Sequence, residues 1–272
     1  MVERGVNQYN SGALIANPFE KTDSFEDSNI RSSEPRWDAL ALLKDYQKTT
    51  SHGNKHEHGD QHEHGDKHER HRGRHREKPD ATKDLKKDLP PEANLRDGDI
   101  IFVSNSNFEE GRAIQKVSNS PMTHCGILFK EGKEWFVYEA VQPVKKTPLK
   151  ELHKPDSGET YAVRRLKDAD AVLTKENLEK LHTVVKDQVG KDYDQLFGWG
   201  NDKMYCSELV WKAYYEATRQ KVGQIKMVGD FDLNDPVVKK QVEARYGKNV
   251  PVTEPTITPG GIYESRLLKT VK

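Results

Sequence analysis

The sequence predicts an α+β fold over residues 93–272, preceded by a low-complexity, mostly disordered tail over residues 1–92. Three observations carry this. After Leu95, short apolar runs with strand character come first and longer runs with helical spacing come mostly later, the order of an α+β rather than an alternating α/β domain. The 272 residues are 33% hydrophobic and 32% charged, too polar for a chain folded throughout. The polar excess is concentrated before residue 93, where large apolar residues are few and no periodicity is sustained.

The tail has one apolar island, SSEPRWDALALLKDYQ at 32–47. Trp37, Leu40, Leu43 and Tyr46 fall at roughly helical spacing, so a short helix over 35–46 is expected. It reads as a transient or docked helix, or as a partner-binding motif around Trp37. From Ser51 to Lys78, KHEHGD and QHEHGD repeat, and eight of the eleven histidines lie here. Such a segment buries too little apolar surface to offset its ordering entropy and reads as a solvated tether. His56, His58, His62 and His64 alternate with carboxylates, so loose binding of zinc, nickel or copper is a second reading. No cysteine joins them and no four-ligand spacing appears, which argues against a structural zinc site. KPDATKDLKKDLPPEAN, at 78–94, reads as a polar linker.

In the domain, DIIFVS follows the Asp97-Gly98 turn signal and reads as a strand. FEEGRAIQKVSNS reads as a short helix stopped before Pro121. MTHCGILFK and KEWFVYEAV read as two strands joined at Glu131-Gly132, and ETYAVRRL as another. LTKENLEKLHTVVKDQVG is a helix with Thr174 as N-cap and Gly190 past its end. YCSELVWKAYYEA is a helix with Leu209, Val210, Ala213 and Tyr214 on one stripe. DPVVKKQVEARYG is a third, with Pro236 in its first turn and Gly247 as its stop.

Bulk properties exclude several classes. Basic and acidic residues balance at 44 each, so nucleic acid and anionic membrane are not implied as partners. The N-terminus MVERGVNQYNSGALIANPFEK has no apolar core of signal-peptide length. No run approaches the roughly 18 apolar residues of a membrane span. The expectation is a soluble protein, cytoplasmic or exported by a route without a classical signal. Two cysteines do not make a disulfide scaffold, and fit free thiols.

Those cysteines sit in MTHCGILF and KMYCSELVW. With Glu131-Gly132 as a two-residue loop, Lys130 faces Lys133 and His124 lies directly opposite Glu139 on one face of the hairpin. A carboxylate there fixes the tautomer that leaves the other imidazole nitrogen as a base. Strand neighbours point to opposite faces, so if His124 faces a catalytic helix, Cys125 faces away with Ile127 and Phe129 as a core residue. Cys206 opens a helix, where the dipole and free backbone N–H groups favour a thiolate. On spacing alone it is equally a nucleophile or a buried helix cysteine.

The run GKDYDQLFGWGNDKMYCSELVWKAY, with LRDGDIIF, THCGILF, VYEA, YAVRRLK, DFDL and TPGGIYESRLL, resembles the YiiX-like hydrolases. These are circularly permuted relatives of NlpC-type papain-fold cysteine peptidases, and the likeness spans most of residues 95–268. It implies a permuted papain-like domain, with a small antiparallel sheet packed on a cysteine-bearing helix. It further implies Cys206 as nucleophile, His124 as base and Glu139 as the orienting group. Tyr193 takes the place of a tyrosine that holds substrate or oxyanion, or else is a packed aromatic; Tyr205 is a second candidate for that role. Where Cys125 stands the family usually has an apolar residue. His153 and His182 match no family site and read as surface residues.

The function implied is a thiol hydrolase cleaving an amide or peptide bond through an acyl-enzyme, on a peptidoglycan peptide or an isopeptide, with no cofactor. A lipid-directed thiol hydrolase or acyltransferase is the alternative, favoured by a groove lined by Trp199, Phe197 and other apolar groups; a polar, narrow groove favours the peptide. A third reading is a non-enzymatic adaptor or metal-binding protein displaying the His tract.

Overall fold

The computed structural model describes residues 82–272; the helix expected over 35–46 and the His tract lie outside them. The strands are β1 (Ile100–Ser104), β2 (His124–Glu131), β3 (Glu134–Glu139), β4 (Lys145–Pro148), β5 (Thr160–Leu166), β6 (Asp192–Tyr193), β7 (Lys203–Met204), β8 (Lys226–Met227), β9 (Pro255–Thr256) and β10 (Leu268–Thr270). The helices are α1 (Glu109–Ser118), α2 (Leu149–Leu152), α3 (Ala169–Val172), α4 (Lys175–Asp187), α5 (Cys206–Thr218), α6 (Pro236–Tyr246) and α7 (Pro259–Tyr263). Six strands form one antiparallel sheet in the order β10-β5-β1-β2-β3-β4. β6 pairs β7 in parallel and β8 pairs β9 antiparallel.

The sheet sorts its side chains by parity. Ile100, Phe102, Cys125, Ile127, Phe129, Tyr138 and Ala162 face the larger core, with Leu181 and Val185 of α4 and Leu209, Val210, Ala213 and Tyr214 of α5. Ile101, Leu128, Trp135, Val137 and Val163 face a thinner layer closed by Leu95, Leu149, Leu89 and Val271. The chain read as linker is therefore in place from residue 82: Leu85 packs on the larger core, and Lys86 bridges to Tyr161.

Helix ends follow their expected chemistry. Thr174 accepts from the Asn177 N–H at 3.2 Å, and Asp235 accepts from the Val237 N–H at 2.9 Å ahead of Pro236. Gly190 and Gly247 carry φ of 93° and 58° past α4 and α6, which glycine adopts without strain. The single expected stripe on α5 is wider than that. Every residue from Cys206 to Tyr214 is buried, because α5 is wedged between the sheet, α4 and the strand carrying Thr256. Its polar pair, Glu208 and Lys212, survives there by bonding to itself at 2.7 Å. Each large apolar side chain fully buried contributes about 1.5–3 kcal/mol. Packing by Leu209, Val210, Trp211 and Tyr214 therefore outweighs any single cap, worth about 1 kcal/mol, in holding Cys206 in place.

Two readings change. The β2–β3 loop is Gly132-Lys133, with Glu131 paired to Glu134, so the register differs by two residues from the expected one. Gly132 takes the first loop position with φ 63°, where a non-glycine residue is strained. His153 and His182 are half-buried rather than surface residues. His182 stacks on Phe129 at 4.2 Å and hydrogen-bonds Glu131 and Tyr138, both at 3.1 Å. His153 bonds the Lys87 carbonyl at 2.9 Å.

Candidate active site

The two-residue shift keeps every side chain on its expected face but moves Glu139 off His124. Continued by one residue beyond Ile127–Tyr138, the register sets Glu139 against Gly126, so His124 and Glu139 are diagonal neighbours. They still meet, because residue 126 has no side chain. A Cβ there would stand 3.2 Å from the Glu139 Cβ and 2.5 Å from Val137 Cγ1. Across this gap His124 Nε2 donates to Glu139 Oε2 at 2.6 Å. The second carboxylate oxygen accepts from Thr147 Oγ1 at 2.5 Å, a contact from β4 that sequence spacing did not reveal. Glu139 has a side chain 7% exposed, His124 one 23% exposed. Burial pushes the Glu139 carboxyl up, but His124 and Thr147 outweigh it and leave the pKa below its usual value.

Cys206 is the first residue of α5 and is buried. With Nε2 given to Glu139, the imidazole has Nδ1 for the thiol, and His124 and Cys206 stand near enough for each to shift the other's pKa. Cys125 corrects a sequence expectation. Strand parity does separate it from His124, but α5 lies on the Cys125 face, not on the face His124 leaves from. His124 is the terminal residue of β2, so its ring reaches round the end of the sheet while Cys125 meets α5 directly. Both flank the same sulfur.

The electrostatics follow from that. The Cys125 hydrogen bond is the largest influence on Cys206; burial opposes it, His124 adds to it, and the Cys206 pKa falls well below the usual thiol value. Burial pushes the Cys125 thiol up, and the neighbouring sulfur pushes it further. Burial disfavours a charged His124, yet Cys206 and Glu139 outweigh it and raise its pKa to about 10. The favoured state is a thiolate–imidazolium pair.

The tyrosines separate. Tyr205 is buried, and its hydroxyl lies 3.2 Å from Thr256 Oγ1 and accepts from the Ile257 N–H at 3.2 Å, which commits it to β9. Tyr193, half-buried, packs edge-on against Phe197 and has no hydroxyl partner among the described residues. Trp199 is buried against Trp211 at 5.4 Å, with Lys212 over its ring, and does not line the cavity at the thiol. Phe197 does. It joins Tyr193, Tyr205, Cys206 and Ser207 around a cavity of about 110 Å³ whose other walls come from α1, α6 and the 228–233 and 256–259 segments. The Ala113, Ile114 and Val117 spacing on α1 and the Val238 and Val242 spacing on α6 are the sequence signals for those walls.

Comparison with known proteins agrees with this fold. A family model described as permuted papain-like amidase enzymes, YaeF/YiiX, matches residues 94–272. The chain belongs to the permuted papain-like amidase family. Within that family, it is 39% identical to the uncharacterized protein YiiX of Escherichia coli K12 over 175 residues, covering 64% of this chain and 84% of YiiX. The crystal structure of metalloprotein YiiX from Escherichia coli O157:H7 superposes with a TM-score of 0.60 at 38% identity, covering 66% of this chain and 97% of that one. Membership in a papain-like amidase family makes the general activity that of a cysteine-type hydrolase. Among the described residues no helix is long and apolar enough to cross a membrane, and no group of three or more His, Cys, Asp or Glu forms a metal site.

Proposed function

We propose that this chain hydrolyses an amide or peptide bond through Cys206, His124 and Glu139. The observation that carries it is the position of His124, held by Glu139 at 2.6 Å and electrostatically coupled to Cys206 at the start of α5. The Cys206 thiolate attacks the carbonyl carbon and forms the C–S bond. Oxyanion charge falls to backbone N–H groups at the helix start, which have no intrahelical partner. The C–N bond breaks as the His124 imidazolium passes its proton to the leaving amine. Neutral His124 then takes a proton from water, hydroxide attacks the thioester, and the C–S bond breaks to release a carboxylic acid and the Cys206 thiolate. Glu139 keeps the ring oriented and favours its charged form throughout.

The walls of the cavity support a second reading, a lipid-directed thiol hydrolase or acyltransferase, since Ile114, Val117, Phe231, Val238 and Val242 are apolar. The relative from Escherichia coli O157:H7 is described as a metalloprotein; among the described residues of this chain no group of three or more His, Cys, Asp or Glu could hold a metal ion. The test is to incubate wild type and Cys206→Ala with peptidoglycan fragments and with lipid extracts, and to compare products by mass spectrometry. Amide cleavage by wild type alone is expected. Equal products from the two proteins would remove Cys206 from the reaction.

A further inference from the structure

We propose that the cavity beside Cys206 is an acyl-side specificity pocket that takes one compact apolar group, a branched aliphatic side chain, on the carbonyl side of the scissile amide. This rests on the nucleophile and base assigned above, and names the substrate they act on.

Position is the first argument. Cys206 is a wall of the cavity, whereas His124 and Glu139 are not. The leaving amine and the attacking water must both meet the imidazole, while the acyl group stays on sulfur. Space that touches the thiol and not the base therefore belongs to the acyl side.

Chemistry of the walls is the second. Ile114, Val117, Phe197, Phe231, Val238 and Val242 supply mostly hydrocarbon. The charged pair at the cavity is already matched, with Arg245 donating to Glu110 at 2.6 Å. A charged substrate group would enter without a free counter-charge, which is costly in apolar surroundings. The Tyr193 hydroxyl, without a partner among the described residues, is a donor for the polar backbone of the same acyl unit.

Size is the third, and it separates one side chain from a lipid. The cavity holds about 110 Å³. Pockets for larger organic ligands run to about 300–1,000 Å³, whereas an apolar cavity of about 150 Å³ takes a benzene ring. A long acyl chain or a benzyl group exceeds that volume, and a branched aliphatic group of leucine size is what remains.

The experiment measures covalent capture of Cys206 by intact-mass spectrometry. The probes are N-acetyl chloromethyl ketones built on glycine, leucine, phenylalanine and aspartate, and a hexadecanoyl chloromethyl ketone. Leucine is expected to react about tenfold or more faster than glycine, the scale set by apolar pocket contacts. Val242→Trp, which fills the cavity, is expected to collapse that ratio towards one; Ile114→Trp serves if the first variant does not melt like wild type. Equal glycine and leucine rates, or a fastest reaction with the phenylalanine, aspartate or hexadecanoyl probe, would overturn the proposal. Iodoacetamide, which carries no side chain, reads the nucleophile separately. If it labels Cys125 ahead of Cys206, the catalytic reading falls and the pocket falls with it. A reactive Cys206 without side-chain preference removes the pocket alone.

Discussion

Cys125 is where the residue scale matters most. A second thiol beside the nucleophile is not inert packing, because a hydrogen-bond donor to sulfur stabilises the thiolate over the thiol. Cys125→Ala removes the largest influence lowering the Cys206 pKa. The rate of Cys206 alkylation against pH is expected to keep its shape with its acid limb moved to higher pH; an unmoved limb would show that His124 and the helix start suffice. On the alkaline side the sign is opposite. The His124 imidazolium persists until pH rises through about 10. Glu139→Gln removes one of the two groups that hold it charged, so the alkaline limb of kcat/KM is expected to move down. The activity lost should exceed that of Thr147→Val, which only loosens the carboxylate's second bond. A limb that stays near 10 in Glu139→Gln would remove Glu139 from the role.

Among elements, the β2–β3 hairpin decides whether the base is assembled. Its alternation was legible in THCGILF and VYEA, and so was the shared face of His124 and Glu139. The two-residue difference in register was not, since both Glu131-Gly132 and Gly132-Lys133 contain the glycine that turn chemistry asks for. What the slide makes necessary is Gly126. An added Cβ would meet Val137 Cγ1 at 2.5 Å and the Tyr138 carbonyl at 2.8 Å, and the second of these is backbone that cannot swing aside. Gly126→Ala is expected to cost about 1–3 kcal/mol, the usual penalty of overpacking, and to lower kcat by displacing Glu139. Thermal melting and kcat measured on the same preparation check it. A fall in melting temperature with kcat unchanged would mean the strands part without moving the carboxylate.

At the scale of the whole molecule, Asp99 ties three regions together. It is fully buried and takes two bonds from Arg165, at 2.6 and 2.7 Å, and one from the Arg96 N–H at 2.9 Å. Arg165 also reaches the Asn94 carbonyl at 2.7 Å. β1, β5 and the segment entering the domain thus share one ion pair. Burial raises the Asp99 pKa despite the guanidinium, so the pair holds the structure together only while both members are present. Arg165→Met leaves a buried carboxylate uncompensated, at a cost of about 3–5 kcal/mol. Chemical denaturation is expected to show that loss, with the pH profile of Cys206 alkylation unmoved below the transition. A shifted profile would mean that the ion pair also shapes the site.

The sequence by itself determined the order His124, Glu139, Cys206, the cap at Thr174, the Pro236 start and Gly247 stop of α6, and the parity of each strand. All of these are local, resting on spacing, turn residues and the two-residue repeat of a strand. Only the tertiary structure decided which face of the sheet α5 would cover, how far β3 slides along β2, and that α1 and α6 would close a small apolar cavity against the thiol. Periodicity says which side chains share a face, but not what will be packed upon it. That choice rests on the volume of side chains far apart in the chain, and it placed both His124 and Cys125 beside one sulfur.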